Sequence, residues 1–211
     1  PGQGKSFFST AVVKLVSRHF GWPQTDVYNH AVGSEHFDGY NGQKIHVIDD
    51  LGQDSSDEEY KLLCQCISTI NFVPPMARIE DKGVYYTSEV VLCTTNRGDN
   101  VTKTLNSSEA LSRRFPIDIT IRAKQQYKKD GVLDITSHFN SVCDGIVWED
   151  LTGQTVTPEQ VAKNIIDKLE MKHTIQKQWN TFVNNGFEKF SDWVNWVDTK
   201  SDELIALFEP E

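Results

Sequence analysis

Cysteine is scarce in this chain of 211 residues: four thiols, with no CxxC unit among them. Cys64, Cys66, Cys93 and Cys143 therefore predict no disulfide framework and read as thiols of a reducing compartment. One intervening residue on a helix points Cys64 and Cys66 about 200° apart, which does not suit a shared metal. Long apolar runs are missing as well. No stretch approaches the roughly 18 residues of a membrane span, and no charged-then-apolar leader opens the chain, so no anchor is expected within it. Seven prolines and 13 glycines belong to an ordinary soluble globular composition, which sets aside disordered and solenoid readings. Basic charge is in deficit, with 21 Lys and Arg against 30 Asp and Glu, net −9, which excludes a generically basic nucleic-acid coat. With 38 % apolar residues at this length, what remains is one sizeable α/β domain and a small appendage.

The charge is unevenly placed. Residues 49–59 hold six acids and no base, and residues 149–211 hold twelve acids and six bases. Residues 97–129, by contrast, carry eight bases against three acids.

Gly4-Lys5-Ser6 opens an apolar segment that runs to a stop at Gly21, as a glycine-rich loop leading into a buried helix does. A turn-rich segment leads to Ile45-His46-Val47-Ile48 followed by Asp49-Asp50, the pattern of a buried strand with a site at its carboxyl end. Residues 57–70 predict a helix, 89–96 a second buried strand ending at Asn96, and 115–121 a third strand. Ser107 or Ser108 can cap a short helix ending at Arg113-Arg114. Thr157-Pro158-Glu159-Gln160 is a strong helix start, and Asn184-Asn185-Gly186 ends that helix. Helical spacing resumes from Phe187, and Ser201 can cap a last helix with Leu204, Ile205, Leu207 and Phe208. Strands alternating with helices predict a doubly wound, mostly parallel sheet, with ligands at the carboxyl ends of its strands.

The candidate chemistry falls at those ends. Gly4-Lys5-Ser6 is the back half of a phosphate-binding loop, whose backbone N–H groups cradle phosphates while Lys reaches the β- and γ-phosphates and Ser binds Mg²⁺. The signature asks for a further Gly two residues before Pro1, so the chain is expected to begin inside the motif, without the strand that leads into it. Asp49-Asp50 supplies one carboxylate for the Mg²⁺ shell and one to orient or deprotonate water. Asn96 can hydrogen-bond the γ-phosphate or the water, and one of Arg113 and Arg114 is expected to act as an arginine finger.

The strings Pro1-Gly2-Gln3-Gly4-Lys5-Ser6, His36-Phe37-Asp38-Gly39-Tyr40, Asp49-Asp50-Leu51-Gly52-Gln53, Pro74-Pro75-Met76-Ala77, Ile79-Glu80-Asp81-Lys82-Gly83, Thr94-Thr95-Asn96 and Arg113-Arg114-Phe115 together resemble the 2C ATPases of picornaviruses, which are superfamily 3 helicase-like proteins. The likeness is strong from residue 1 to about 121 and architectural beyond it. It implies a P-loop, AAA+-like ATPase core over 1–130, an irregular connecting segment over 131–156 and carboxyl-terminal helices over 157–211. It implies ATP and Mg²⁺ as cofactors, with Pro1 to Ser6 as the nucleotide loop and Ser6 and Asp49 as metal ligands. Asp49, Asp50, Asn96, Arg113 and Arg114 would be the catalytic set, the arginines reaching the nucleotide of the adjacent subunit of a homo-hexamer. Residues 122–150 hold only Cys143, so the zinc site of enterovirus members is not expected, and Asp54 stands where the family usually has Asn.

The resemblance further implies a terminal helix whose Leu204, Leu207 and Phe208 dock on the next subunit. Arg78 and Lys82, on a loop facing the ring pore, would meet the phosphates of single-stranded RNA without reading sequence. The expected setting is the host-cell cytoplasm, on the cytoplasmic face of replication membranes, with membrane contact made by a part preceding residue 1. The expected function is an ATP-driven ring motor remodelling RNA or ribonucleoprotein. The alternative is a nucleotide-controlled scaffold that recruits partners without unwinding.

Overall fold

The computed structural model describes residues 2–31, 33–52, 58–68, 70–96, 114–134, 146–150, 152–185, 191–192 and 194–195. Helix α1 spans Lys5–Phe20 and is followed by strands β1 (Val27–His30) and β2 (Ile45–Ile48), helix α2 (Glu58–Cys66) and strand β3 (Val90–Cys93). Strands β4 (Ile119–Ala123), β5 (Lys128–Lys129), β6 (Val132–Leu133) and β7 (Ile146–Asp150) lead to the long helix α3 (Pro158–Asn185).

The centre is a parallel sheet in the order β1-β2-β3, with Ile45 opposite Val27 and Val90, and Ile48 opposite His30 and Cys93. Side chains alternate across a strand, so β2 feeds both layers. Ile45 and Val47 face the α1 side, where Phe8, Val12 and Val16 form a stripe along one helix face and pack with Val161, Ala162 and Leu169 of α3. Ile48 enters a cluster with Leu51, Tyr60 and Leu63 beneath α2. His46 lies among the rings of Tyr28, Phe37 and Tyr86. Helices on both faces of a parallel sheet make this the expected doubly wound α/β arrangement.

Two of the strings that looked like signatures are structural. The Phe37 N–H donates to the Pro75 carbonyl at 2.8 Å, and the Ala77 N–H donates to Asp38 Oδ1 at 3.2 Å. Tyr40 Oη accepts from the N–H groups of Thr87 (2.8 Å) and Ser88 (3.1 Å). His-Phe-Asp-Gly-Tyr and Pro-Pro-Met-Ala thus clasp each other, with Phe37, Tyr40 and Met76 buried in one cluster.

Three segments differ from the sequence expectation. The third strand, expected over 115–121, forms over Ile119–Ala123 and lies outside the central parallel sheet, because it pairs antiparallel with β7. The stretch before β2 reads as turn-rich, yet Val27–His30 forms β1, because β2 offers it a complete parallel ladder. The segment 131–156 reads as irregular, yet it contributes β6 and β7. Asp130-Gly131, at φ 53 and 82, makes the two-residue turn of the β5–β6 hairpin, and β7 pairs antiparallel with β4 from Ile119↔Asp150 to Ala123↔Ile146. Neither strand is long enough to show a period of its own. At α3 the capping box is complete: Thr157 Oγ1 accepts from the Gln160 N–H at 3.3 Å, and Gln160 Oε1 from the Thr157 N–H at 2.8 Å. Among the described residues no helix is long and apolar enough to cross a membrane.

Candidate active site

Gly4 takes a left-handed conformation (φ 92, ψ 16) directly before α1, a backbone that suits glycine alone. No side chain caps α1 and no acid stands in its first turn; the Phe7 and Phe8 N–H groups bond to the Gly4 carbonyl, and those of Lys5 and Ser6 lie ahead of them at the positive end of a 16-residue helix. That is the donor set an anionic phosphate requires. The loop before Gly4 is braced from behind. The Gly2 carbonyl accepts from the Leu133 N–H at 2.9 Å, Gln3 Oε1 from the Ala123 N–H at 3.1 Å, and Gln3 Nε2 donates to the Gly131 carbonyl at 3.2 Å. The brace comes from β4 and the β5–β6 hairpin, more than a hundred residues away in the chain.

Lys5, Ser6, Asp49, Asp50 and Asn96 meet at this point. Lys5 Nζ hydrogen-bonds Asn96 Oδ1 and stands 3.8 Å from Asp50 Oδ1. Asn96 Nδ2 donates to Asp50 Oδ1 at 2.7 Å, closing a Lys–Asp–Asn triangle. Ser6 Oγ lies 3.4 Å from Asp49 Oδ2. A hydroxyl and a carboxylate oxygen at that separation are hard donors of the kind Mg²⁺ selects, so the residues present fit the implied metal. Asp50 has φ 58, a left-handed conformation that Asp tolerates better than most residues.

Three residues absent from the sequence-derived set hold the acids. Thr94 Oγ1 donates to Asp49 Oδ1 at 2.5 Å and accepts the Asp50 N–H at 2.9 Å. Thr95 Oγ1 donates to the Leu51 carbonyl at 3.0 Å. Glu59 of α2 accepts the Gly52 N–H at 3.0 Å on one oxygen and the Gly33 N–H at 2.8 Å on the other, tying the loop after the acids to the loop after β1. Thr94 and Thr95 had a signal, their place at the carboxyl end of a buried strand. Glu59 had none, being one acid among six.

Arg114 lines a groove of about 1340 Å³ that also reaches Lys5, Thr94 and Thr95. Arg78 and Lys82 are exposed on the turn between Met76 and Val84. Pro1, Arg113, Leu204, Leu207 and Phe208 lie outside the described residues.

The profile of the RNA helicase family matches residues 1–97. The genome polyprotein of Ljunganvirus 1 is 37 % identical over 193 residues, covering 87 % of this chain, and that of Human parechovirus 5 (strain CT86-6760) is 38 % identical over 214 residues, covering 99 %. The genome polyprotein of Human parechovirus 2 (strain Williamson) is 38 % identical over 82 % of the chain. The chain spans 8 % to 10 % of the length of these polyproteins.

Proposed function

Because the chain belongs to the superfamily 3 RNA helicase family carried in picornavirus genome polyproteins, we propose that its site hydrolyses ATP to drive a viral replication motor. Membership makes it a helicase-type viral enzyme domain. The observation that supports the finer reading is the meeting of Lys5, Asp49, Asp50 and Asn96, from three distant parts of the chain, at the uncapped start of α1.

ATP brings the transferable γ-phosphoryl group, and Mg²⁺ offsets its charge. The backbone N–H groups within the loop from Pro1 to Ser6 hold the phosphates, and Lys5 exchanges its bond to Asn96 for one to the β- and γ-oxygens. Ser6 and Asp49 hold the metal. Asp50 orients the attacking water and takes its proton, and Asn96 fixes the water or the γ-oxygens. Arg113 or Arg114 of a neighbouring subunit meets the charge that develops on the transferring group, a contribution of about 10³–10⁵ in rate where such a finger acts. In this reading the assembly is a hexamer held by Leu204, Leu207 and Phe208. Arg78 and Lys82 touch single-stranded RNA. In this reading the motor works on the cytoplasmic face of host replication membranes.

The test is ATP hydrolysis by the full-length protein with and without single-stranded RNA. Lys5→Ala and Asp50→Asn each should lower the rate by about 10²-fold or more, and RNA stimulation should fall as salt rises. Mixing Lys5→Ala subunits with Arg113→Ala/Arg114→Ala subunits should restore hydrolysis. A rate indifferent to Lys5→Ala would sink the reading. Assembled mixtures that stay inactive at every ratio would exclude a finger acting between subunits.

A further inference from the structure

We propose that Thr94 is a positioning residue for the metal-holding carboxylate, its buried hydroxyl orienting Asp49 so that Oδ2 is presented beside Ser6. The inference rests on the nucleotide-site reading above and adds the group that sets the geometry of its metal ligand.

Asp49 is exposed at the end of β2, where a carboxylate is free to rotate and its ordering costs entropy. Thr94 is only 8 % exposed and is fixed by its own backbone: its N–H donates to the Ile48 carbonyl at 2.9 Å, and its carbonyl accepts from the Leu51 N–H at 2.7 Å. Its hydroxyl has one proton to give. A lone pair takes the Asp50 N–H at 2.9 Å, and the proton goes to Asp49 Oδ1 at 2.5 Å. With Oδ1 occupied, Oδ2 is the oxygen turned to Ser6 Oγ, 3.4 Å away.

The neighbouring residues have other tasks. Thr95 gives its proton to the Leu51 carbonyl, and Asn96 gives an amide hydrogen to Asp50. Thr94-Thr95-Asn96 and Asp49-Asp50-Leu51 therefore interlock, and within that lattice the bond to Asp49 comes from Thr94. Mg²⁺ demands near-ideal octahedral ligand placement, so an oxygen held in one orientation is worth more to it than a rotating one. Groups that orient a metal ligand typically matter by about 10–100-fold in affinity.

The experiment compares Thr94→Val, which keeps the shape and removes the hydroxyl, with Thr94→Ser, which keeps the hydroxyl. Binding of a fluorescent ATP analogue to the full-length protein is measured across a Mg²⁺ titration, alongside hydrolysis. Thr94→Val should raise the Mg²⁺ needed for half-maximal binding by about tenfold and leave the Mg²⁺-free affinity unchanged. Thr94→Ser should stay within about threefold of the wild type, the hydroxyl being retained. A merely structural role would lower folding stability and leave the Mg²⁺ midpoint in place. An unchanged midpoint in Thr94→Val, or a Thr94→Ser protein as impaired as Thr94→Val, overturns the proposal. Should Thr94→Val fail to fold, the Thr94→Ser midpoint is compared with that of Thr94→Ala under the same two criteria. Wild-type protein that binds no nucleotide, or binds it equally with Lys5→Ala, overturns the nucleotide-site reading itself and the Thr94 role with it.

Discussion

Gly52 closes the loop that carries the acid pair, and its φ of +78 together with its neighbour leaves room for no side chain. A Cβ there would collide with Tyr60 Oη, and Tyr60 is packed with Ile48, Leu51 and Leu63 and cannot withdraw. Gly52→Ala should therefore destabilise the protein by about 1–3 kcal/mol, read as a lower urea midpoint. It should also weaken Mg²⁺-dependent nucleotide binding, because Asp50 is two residues away. Gly33 is at +76, but a methyl group there would meet nothing within 4 Å, so Gly33→Ala bears only the backbone strain and should cost less. The same scale separates what a residue type announces from what it needs. Lys5, Asp49, Asp50 and Asn96 declared themselves by chemistry and spacing. Thr94, Gln3 and Glu59, which hold the site in shape, are ordinary polar residues until the fold brings them to it.

At the scale of elements, legibility followed local signal. Helix α1 was readable because a glycine bounds each end, and α3 because its cap is written in four consecutive residues. Thr157→Ala should remove the cap bond to the Gln160 N–H and cost about 1 kcal/mol, seen as a lower melting temperature with hydrolysis per folded molecule unchanged. Strands β1 and β7 were not readable: each is four or five residues long, and its hydrogen bonds are completed by a partner distant in sequence. Helix α3 is also joined to the core by paired side chains, His19 Nε2 with Glu170 Oε1 at 2.9 Å, and His173 with Glu89. Burial pushes Glu89 up, but hydrogen bonds from Lys44 and His173 outweigh it and hold the carboxyl below its ordinary range. The stability from that depressed pKa is present above the unfolded value of 4.5 and is lost as pH falls through the folded one.

For the molecule as a whole, the interior histidines set a pH limit. Burial, and then the charge of His30, push His46 down to about 3, and burial likewise lowers His30. Among the described residues, His46 Nε2 and His30 Nδ1 are buried without a hydrogen-bond partner, which suits neutral rings. Below the ordinary value of 6.5 the unfolded chain takes up protons that the folded one refuses, so stability falls as pH drops from 6.5 towards 3. The expected slope is up to about 1.4 kcal/mol per pH unit for each histidine kept neutral. Urea midpoints between pH 7.5 and 5.5 should show it, and His46→Gln, which cannot titrate, should flatten it. Assembly belongs to the same scale: Leu207→Ala with Phe208→Ala should leave a monomer by light scattering if the terminal helix joins the subunits. In the proposed ring, hydrolysis should fall with assembly, since each site would then lack the arginine proposed to come from its neighbour.

Sequence by itself determined the class of fold, the ends of α1 and α3, and which side chains carry the chemistry proposed for phosphate and metal. Each of these depends on residue type and on spacing within a single segment. Only the tertiary structure decided that Lys5 meets Asn96 and Asp50, that Thr94 grips Asp49, and that a hairpin at residues 128–133 braces the loop before Gly4. The same holds for the two long-looking signatures, which turned out to clasp one another rather than to reach the site. Contacts between distant segments carry no local period or spacing, since their register is set by which strands pair and by what the core can bury.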